Sequence, residues 1–151
     1  MKTVYAVDLR HEATEDTGAE AAQWAQALGA SLDLLFVDGY EQASHLIRDP
    51  EVRDVVSSQW AAVQAFHRRE LAALLQTVPK EARGVARYHD GYAKDVILRL
   101  APDYDVVMVA THGRRGLDHV FLGSTAEWLI RHVEVPVMVL RLPEVTADPA
   151  S

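Results

Sequence analysis

The residues best suited to chemistry lie in one loop, THGRRGLDHVFLGST, between residues 111 and 125. Its small, cationic and hydroxyl residues are Gly113, Gly116, Gly123, Arg114, Arg115, Ser124 and Thr125. Glycines allow positive φ and a close approach of the backbone to a ligand, and successive backbone amides in such turns can hold phosphate oxygens. A helix that begins at the hydroxyl pair would add its N-terminal amides and dipole. This composition is typical of a phosphate-binding loop.

A connecting loop without a ligand explains the same residues equally well. Glycines often only interrupt regular structure between a strand and a helix. Ser124 and Glu127 match the capping-box pattern S-x-x-E, in which the serine is the N-cap of the helix and needs no ligand. The pattern alone therefore leaves a phosphate cradle and a plain connection about evenly balanced.

Polar groups near other predicted strand ends extend the candidate site. Asp8 ends the first predicted strand, where its carboxylate could hold the next loop or accept hydrogen bonds from a base or ribose. Val37 ends the second run and offers backbone groups to the same crevice, although a valine there commonly serves only the core. His112 and His119 flank the arginines but match no established metal-ligand spacing. No set of nucleophile, base and orienting residue is evident, so we expect neither an enzyme nor a metal site.

Apolar runs that alternate with helical patterns provide the elements that would position these residues. Strands are predicted at residues 3–8, 31–37, 84–89, 105–110 and 135–141, and helices at 14–29, 51–76, 92–101 and 124–132. Gly29 stands where the first helix should stop. Strands that are apolar throughout indicate a sheet covered on both faces, and alternation with helices indicates parallel pairing. The predicted α/β fold is an open, doubly wound sheet, in which ligands bind beyond the carboxyl ends of the strands where the strand order reverses.

Composition limits the functions that remain. The chain has 151 residues, 49% hydrophobic and 25% charged, which predicts one domain over residues 1–142 and an unpacked tail over 143–151. It has no cysteine, which excludes disulfides and thiolate chemistry. No apolar run is long enough for a membrane span and no signal-peptide pattern is present, so we expect a cytoplasmic location and no membrane partner. A formal net charge of −7 argues against a nucleic-acid partner.

The same loop resembles the phosphate signature of the universal stress proteins, G-x2-G-x9-G-[ST]. Gly113, the nine residues 114–122, Gly123 and Ser124 reproduce its spacing, and Ala110 replaces its first glycine. An alanine fits that position only with a negative φ. The runs VYAVD, ALGASLDLLFV and VEVPVMVLR also resemble the first, second and last strands of the family. The resemblance therefore extends over nearly the whole chain.

The resemblance implies a Rossmann-like, adenine nucleotide alpha hydrolase-like fold with a five-stranded parallel sheet of order 3-2-1-4-5. It implies an ATP site, with AMP or ADP as related ligands and Mg²⁺ held through the bound phosphates. The residues that it carries over to this site are Asp8, Val37, Ala110, His112, Gly113, Arg114, Arg115, Gly123, Ser124 and Thr125. It also implies a homodimer paired through the last strand, Val135 to Arg141. An edge strand this apolar would risk aggregation if it were left unpaired.

Three functions are open on these grounds. The first, which we predict, is an ATP-binding stress-response regulator that signals to an unidentified protein partner by nucleotide occupancy, with little or no catalysis. The second is a homodimeric interaction module of the same fold that binds no nucleotide. The third is a hydrolase or nucleotidyl-transfer enzyme, which the missing base and metal ligands disfavour.

Overall fold

The computed structural model describes residues 1–9, 14–39, 44–111 and 123–141, and in these ranges strands alternate with helices as predicted. The elements are β1 (Lys2–Ala6), α1 (Thr14–Ala27), β2 (Ser31–Asp38), α2 (Pro50–Thr77), β3 (Arg83–Asp90), α3 (Ala93–Leu100), β4 (Val106–Thr111), α4 (Ser124–His132) and β5 (Val137–Arg141). A short 3-10 helix, Ala101–Asp103, follows α3. The predicted tail lies outside the described residues.

The five strands form one sheet of order β3-β2-β1-β4-β5, and every neighbouring pair is parallel. This arrangement confirms the predicted fold class. The strand order reverses between β1 and β4, which pair from Thr3 with Val106 to Ala6 with Val109. In sheets of this kind the crevice for a ligand lies beyond the carboxyl ends of these two strands.

Helices cover both faces of the sheet. Because successive side chains of a strand point to opposite faces, the neighbours Leu34 and Leu35 enter different cores. Leu34 packs in the cluster that includes residues of α1 and α2, whereas Leu35 packs in the cluster that includes residues of α3 and α4. Both side chains are fully buried, which explains why the central strands β1, β2 and β4 are mainly apolar instead of alternating.

The end of α1 confirms the role predicted for Gly29. Its φ is +64°, a left-handed conformation that glycine adopts without strain. Its N–H donates to the Gln26 carbonyl at 3.0 Å, and the Ala30 N–H donates to the Ala25 carbonyl at 2.8 Å. These two bonds satisfy carbonyls that the last turn would otherwise leave unpaired.

The long helix α2 is capped by its sequence. Asp49 is its N-cap and accepts a hydrogen bond from the Glu51 N–H at 2.9 Å, and Pro50 occupies the first turn, where a missing N–H costs nothing. Even this 28-residue helix lacks the sustained apolar stretch that a bilayer crossing needs, and so do the other described helices.

A buried carboxylate fastens the edge strand β3 to β2. Asp33 accepts hydrogen bonds from the Val85 N–H at 2.8 Å, the Tyr104 hydroxyl at 2.6 Å and Arg87 Nε at 3.2 Å. Burial and the bond to Asp33 raise the pKa of Tyr104, so the phenol stays protonated as the donor. These bonds lie beside a register shift in the β2–β3 pairing.

Candidate functional site

A cavity of about 310 Å³ opens beyond the carboxyl ends of β1, β2 and β4. Its lining residues are Tyr5, Ala6, Val7, Asp8, Thr17, Leu35, Phe36, Val37, Ala93, Ile97, Val109, Ala110, Gly123, Ser124, Thr125 and Ala126. It lies at the reversal point between β1 and β4, where the fold predicts a ligand. Its volume is at the lower end of the range of about 300–1,000 Å³ that is usual for small-molecule sites.

Six of the ten residues predicted for the site line this one cavity. They are Asp8, Val37, Ala110, Gly123, Ser124 and Thr125. The other four, His112, Gly113, Arg114 and Arg115, lie outside the described residues. Asp8 was expected to end the first strand, but β1 ends at Ala6, so this half-buried carboxylate lies in the loop that follows. The cavity therefore joins positions that are more than a hundred residues apart in the chain.

The start of α4 presents backbone donors to the cavity. Gly123 is the N-cap, and its carbonyl accepts the first intrahelical bond, from the Glu127 N–H at 2.9 Å. The N–H groups of Ser124, Thr125 and Ala126 precede that bond and have no acceptor within the helix. All three residues line the cavity, so their amides and the helix dipole favour a negatively charged ligand group there.

The predicted capping box is wrong. The helix takes Gly123 as its N-cap instead of Ser124, and no side chain caps this helix start. Glu127 does not reach back to the cap, and its Oε1 instead accepts a hydrogen bond from Arg131 Nη2 at 2.9 Å. Helix capping therefore does not account for Ser124, whose side chain is exposed at the rim of the cavity.

Gly123 is not required by the fold itself. Its φ is −54°, so the freedom of glycine to adopt a positive φ is not used at this position. A Cβ built on it would meet no heavy atom of the described residues within 4 Å. A side chain at this position would occupy open space beside the helix amides, which is the space that an anionic ligand would need. The glycine therefore fits a ligand cradle better than it fits a structural turn.

The backbone of Ala110 has the negative φ that an alanine needs at this position of the signature. It lies within β4 and pairs with Leu140 of β5. No non-glycine residue in the described ranges has a positive φ, so the backbone of Ala110 is ordinary extended strand. Its methyl lines the cavity without strain, and replacement of the first signature glycine leaves the cavity open.

The structure adds two polar groups that the sequence pattern did not single out. Tyr5 and Thr17 are both buried and line the cavity. Burial raises the pKa of Tyr5, its hydrogen bond with Thr17 lowers it, and the nearby carboxylates of Asp8 and Glu20 raise it further. The Tyr5 phenol is therefore neutral across the physiological range. Helical spacing contains a signal for Thr17, because it lies four residues before the buried Ala21.

Side chains from two other elements hold the end of β2 that carries Val37. The buried Asp38 Oδ2 accepts hydrogen bonds from the Tyr88 hydroxyl at 2.8 Å and from His67 Nδ1 at 3.0 Å. Burial and the bond to Asp38 raise the pKa of Tyr88. The Phe36 ring, which lines the cavity, packs edge-on against His67 with a centroid separation of 5.0 Å. These contacts anchor the end of β2 that carries Val37.

Metal ligands are not grouped in the described part of the chain. No cluster of three or more His, Asp or Glu side chains able to hold a metal ion occurs there. The described cavity lining contains one carboxylate, that of Asp8, and the hydroxyls of Tyr5, Thr17, Ser124 and Thr125. Its chemistry is that of hydrogen bonding and apolar contact.

Comparison with known proteins gives one consistent result. A family model described as Universal stress protein family matches residues 1–141. The universal stress protein UspA from Lactobacillus plantarum has a similar fold, with a TM-score of 0.65, 22% identity, and coverage of 93% of this chain and 97% of that one. A universal stress protein family member from Burkholderia pseudomallei has a TM-score of 0.67 at 17% identity, covering 92% and 94%. No curated protein sequence matches.

A third solved structure carries a ligand. It is a universal stress protein in complex with cAMP, with a TM-score of 0.57, 17% identity, and coverage of 94% of this chain and 98% of that one. At this level of identity the three structures show a shared fold.

Proposed function

The chain belongs to the universal stress protein family, and we propose that it is a stress-response regulator that binds an adenine nucleotide, ATP or its AMP and ADP relatives, in the cavity at the β1–β4 reversal. It acts through occupancy of this cavity, with little or no catalysis, on a protein partner. A location in the cytoplasm stays a prediction.

The observation that carries this proposal is the start of α4. Three consecutive residues whose amides have no helical acceptor line the cavity, beside a glycine at which a Cβ would meet no described heavy atom within 4 Å. A phosphate group satisfies such amides and interacts favourably with the helix dipole. Arg114 and Arg115, which stay predictions, would add positive charge to the same group.

The remaining lining suits the base and the sugar. Val37, Ile97, Val109 and Ala110 provide apolar surface, which favours burial of a flat aromatic base. Asp8 provides a carboxylate that can accept hydrogen bonds from ribose hydroxyls. The combination of apolar walls with a few convergent polar groups is typical of a small-molecule site. A relative of the same fold is known in complex with cAMP, which also contains adenine, ribose and phosphate.

Occupancy without rapid turnover is the mode of action that this lining supports. Phosphoryl transfer depends on positioned cations and a group that orients the nucleophile. The polar side chains of the described lining are the Asp8 carboxylate and the hydroxyls of Tyr5, Thr17, Ser124 and Thr125, which can hold a nucleotide through hydrogen bonds. Mg²⁺ would be held through the nucleotide phosphates.

Ligand-dependent stability tests the nucleotide proposal. A ligand at a hundred times its Kd stabilises the folded state by about 2.7 kcal/mol, which raises the Tm of a chain of this length by about 5 to 11 °C. We expect this shift with ATP, ADP or AMP, and we expect denatured protein to release nucleotide that mass spectrometry identifies. The absence of both, at millimolar nucleotide with Mg²⁺, would leave the non-binding interaction module as the better account.

The last strand supports the proposed homodimer. β5 is an edge of the sheet, and Val137, Met138 and Val139 are only half-buried. The opposite edge, β3, carries the charged residues Arg83 and Arg87, which discourage pairing with another strand. Pairing through β5 would cover the apolar edge, and a monomer at every concentration in sedimentation equilibrium would exclude it.

A further inference from the structure

The backbone of Val37 faces the cavity from the end of β2, beyond the last residue that pairs with β1. The Leu35 carbonyl accepts a hydrogen bond from the Val7 N–H at 2.8 Å, on the β1 side. The Asp38 carbonyl accepts one from the Gly91 N–H at 3.0 Å, on the β3 side. Because the backbone groups of successive strand residues point alternately to the two neighbours, the N–H and C=O of Val37 point to the β1 side. The β1–β2 register ends at Leu35, so these groups point past the end of β1, into the cavity that Val37 lines.

A backbone N–H and C=O in this position can distinguish one purine base from another. Adenine presents a ring-nitrogen acceptor beside an amino donor, and these two groups match an N–H and a C=O. Hypoxanthine has an oxygen acceptor in place of the amino group, so it would leave the Val37 carbonyl without a donor. A buried polar group that is left unpaired weakens binding. The preference for adenine therefore depends on how well the end of β2 is held in position.

Asp38 holds this end of β2 from the side away from the cavity. Its carboxylate accepts hydrogen bonds from the Tyr88 hydroxyl of β3 at 2.8 Å and from His67 Nδ1 of α2 at 3.0 Å. We call these three residues the Asp38 latch. Asp38 is only 6% exposed, so water does not readily replace a donor that is lost. The ring of Phe36 lies between the cavity and the latch, 5.0 Å from the His67 ring and 5.9 Å from the Tyr88 ring.

We infer that the Asp38 latch sets the base preference of the cavity by positioning the Val37 backbone against the amino edge of an adenine ring. This role rests on the proposed nucleotide function and adds the ligand class, nucleotides of a 6-aminopurine. Tyr88 and His67 are not among the described residues that line the cavity. They are therefore positioning residues, which act on the ligand through Asp38 and the strand that carries Val37.

A second tyrosine–aspartate pair on the same strand provides a matched control. Asp33, five residues before Asp38, is also buried and accepts a hydrogen bond from the Tyr104 hydroxyl at 2.6 Å. In both pairs burial and the bond to the aspartate raise the pKa of the tyrosine, so both phenols are neutral donors. Asp33 lies about 16 Å from Asp38 along the strand, at the end opposite to the cavity. Loss of the Tyr104 hydroxyl therefore removes an equivalent bond at a distance from the ligand.

Replacement of Tyr88 by phenylalanine would remove the bond to Asp38 and keep the packing of the ring. The Arg68 guanidinium lies 4.1 Å from the centre of the Tyr88 ring, and the ring also lies against Phe36. Neither contact needs the hydroxyl. An effect of this substitution on the ligand would therefore come from the lost hydrogen bond.

Titration calorimetry of the full chain with AMP, IMP and ribose 5-phosphate tests the inference. IMP carries hypoxanthine in place of adenine, and ribose 5-phosphate carries no base. We expect the wild type to prefer AMP to IMP. Tyr88→Phe should lower the ratio of the two affinities by about two- to thirteen-fold, the equivalent of one hydrogen bond, and leave the affinity for ribose 5-phosphate unchanged. Tyr104→Phe should leave the ratio unchanged, at a comparable loss of stability in urea.

His67→Phe removes the other donor of the latch and keeps a ring beside Phe36, so it should lower the same ratio. An unchanged ratio in both latch variants, or an equal fall in Tyr104→Phe, would overturn the inference and leave the proposed function standing. A wild type that binds AMP and IMP equally would have the same consequence. A wild type that binds neither nucleotide would overturn the proposed function, and the inference with it.

Discussion

Replacing Gly123 and Gly29 by alanine, one at a time, should separate ligand binding from stability. Gly123 lies at the N-terminus of one helix, and Gly29 lies at the C-terminus of another. Gly123 begins α4 with a φ of −54°, which alanine also adopts, and a Cβ there meets no heavy atom of the described part of the chain within 4 Å. Gly29 ends α1 with a φ of +64°, which alanine adopts only with strain. If Gly123 is a ligand cradle, the two substitutions should have opposite effects.

The expected magnitudes follow from these geometries. Gly123→Ala loses roughly 0.5–1 kcal/mol as an N-cap, where glycine ranks well above alanine, and gains about 0.4–1 kcal/mol from a less flexible unfolded chain, so stability should stay within about 1 kcal/mol of wild type. Gly29→Ala should cost about 1–2 kcal/mol of stability. In the nucleotide complex the added methyl of Gly123→Ala displaces the phosphate from the helix amides. Loss of one charged hydrogen bond, about 1.5–3 kcal/mol, weakens binding by about ten- to a hundred-and-fifty-fold.

Two measurements on each variant test whether Gly123 serves ligand binding or stability. Isothermal titration calorimetry with ATP and with AMP gives the Kd, and urea unfolding without nucleotide gives the free energy of unfolding. We expect Gly123→Ala to lose affinity at nearly constant stability, and Gly29→Ala to lose stability at constant affinity. Binding of wild-type strength by Gly123→Ala would refute the cradle, and an equal loss of affinity in both variants would show that general loosening is responsible.

Two further predictions concern stability. Gly84→Ala should destabilise the fold by more than about 2 kcal/mol in urea unfolding, because the new Cβ would collide with Asp33 Oδ1 and lie 2.7 Å from the Leu32 carbonyl oxygen. An unchanged midpoint would contradict this. His89→Gln should make stability less sensitive to acid. Burial lowers the pKa of His89 below 6.5, and Arg99 and Arg87 lower it further. As the pH falls, the unfolded chain therefore binds a proton at this histidine at a higher pH than the folded chain does. Wild-type stability consequently falls as the pH drops through about 6.5. Equal losses for wild type and variant between pH 7 and 5 would exclude this contribution.

Sequence patterns predicted correctly those features that depend on local backbone geometry. Apolar runs predicted the strands because a strand covered on both faces has no solvent side to encode. Gly29 predicted the end of α1 because a left-handed residue is a local requirement. The capping box at Ser124 failed for a related reason. Its pattern describes one way to start a helix, but Glu127 pairs with Arg131 and the helix starts one residue earlier than the pattern required.

The sequence by itself determined the alternation of strands and helices, the glycine spacing that resembles a phosphate loop, and the carboxylate at Asp8. Only the tertiary structure decided that Asp8, Val37 and Gly123 line one cavity and that Tyr5 and Thr17 join them. The physical reason is that spacing along a chain specifies periodicity and backbone conformation. Which distant side chains meet depends on the order of strands in the sheet and on which helix covers which face.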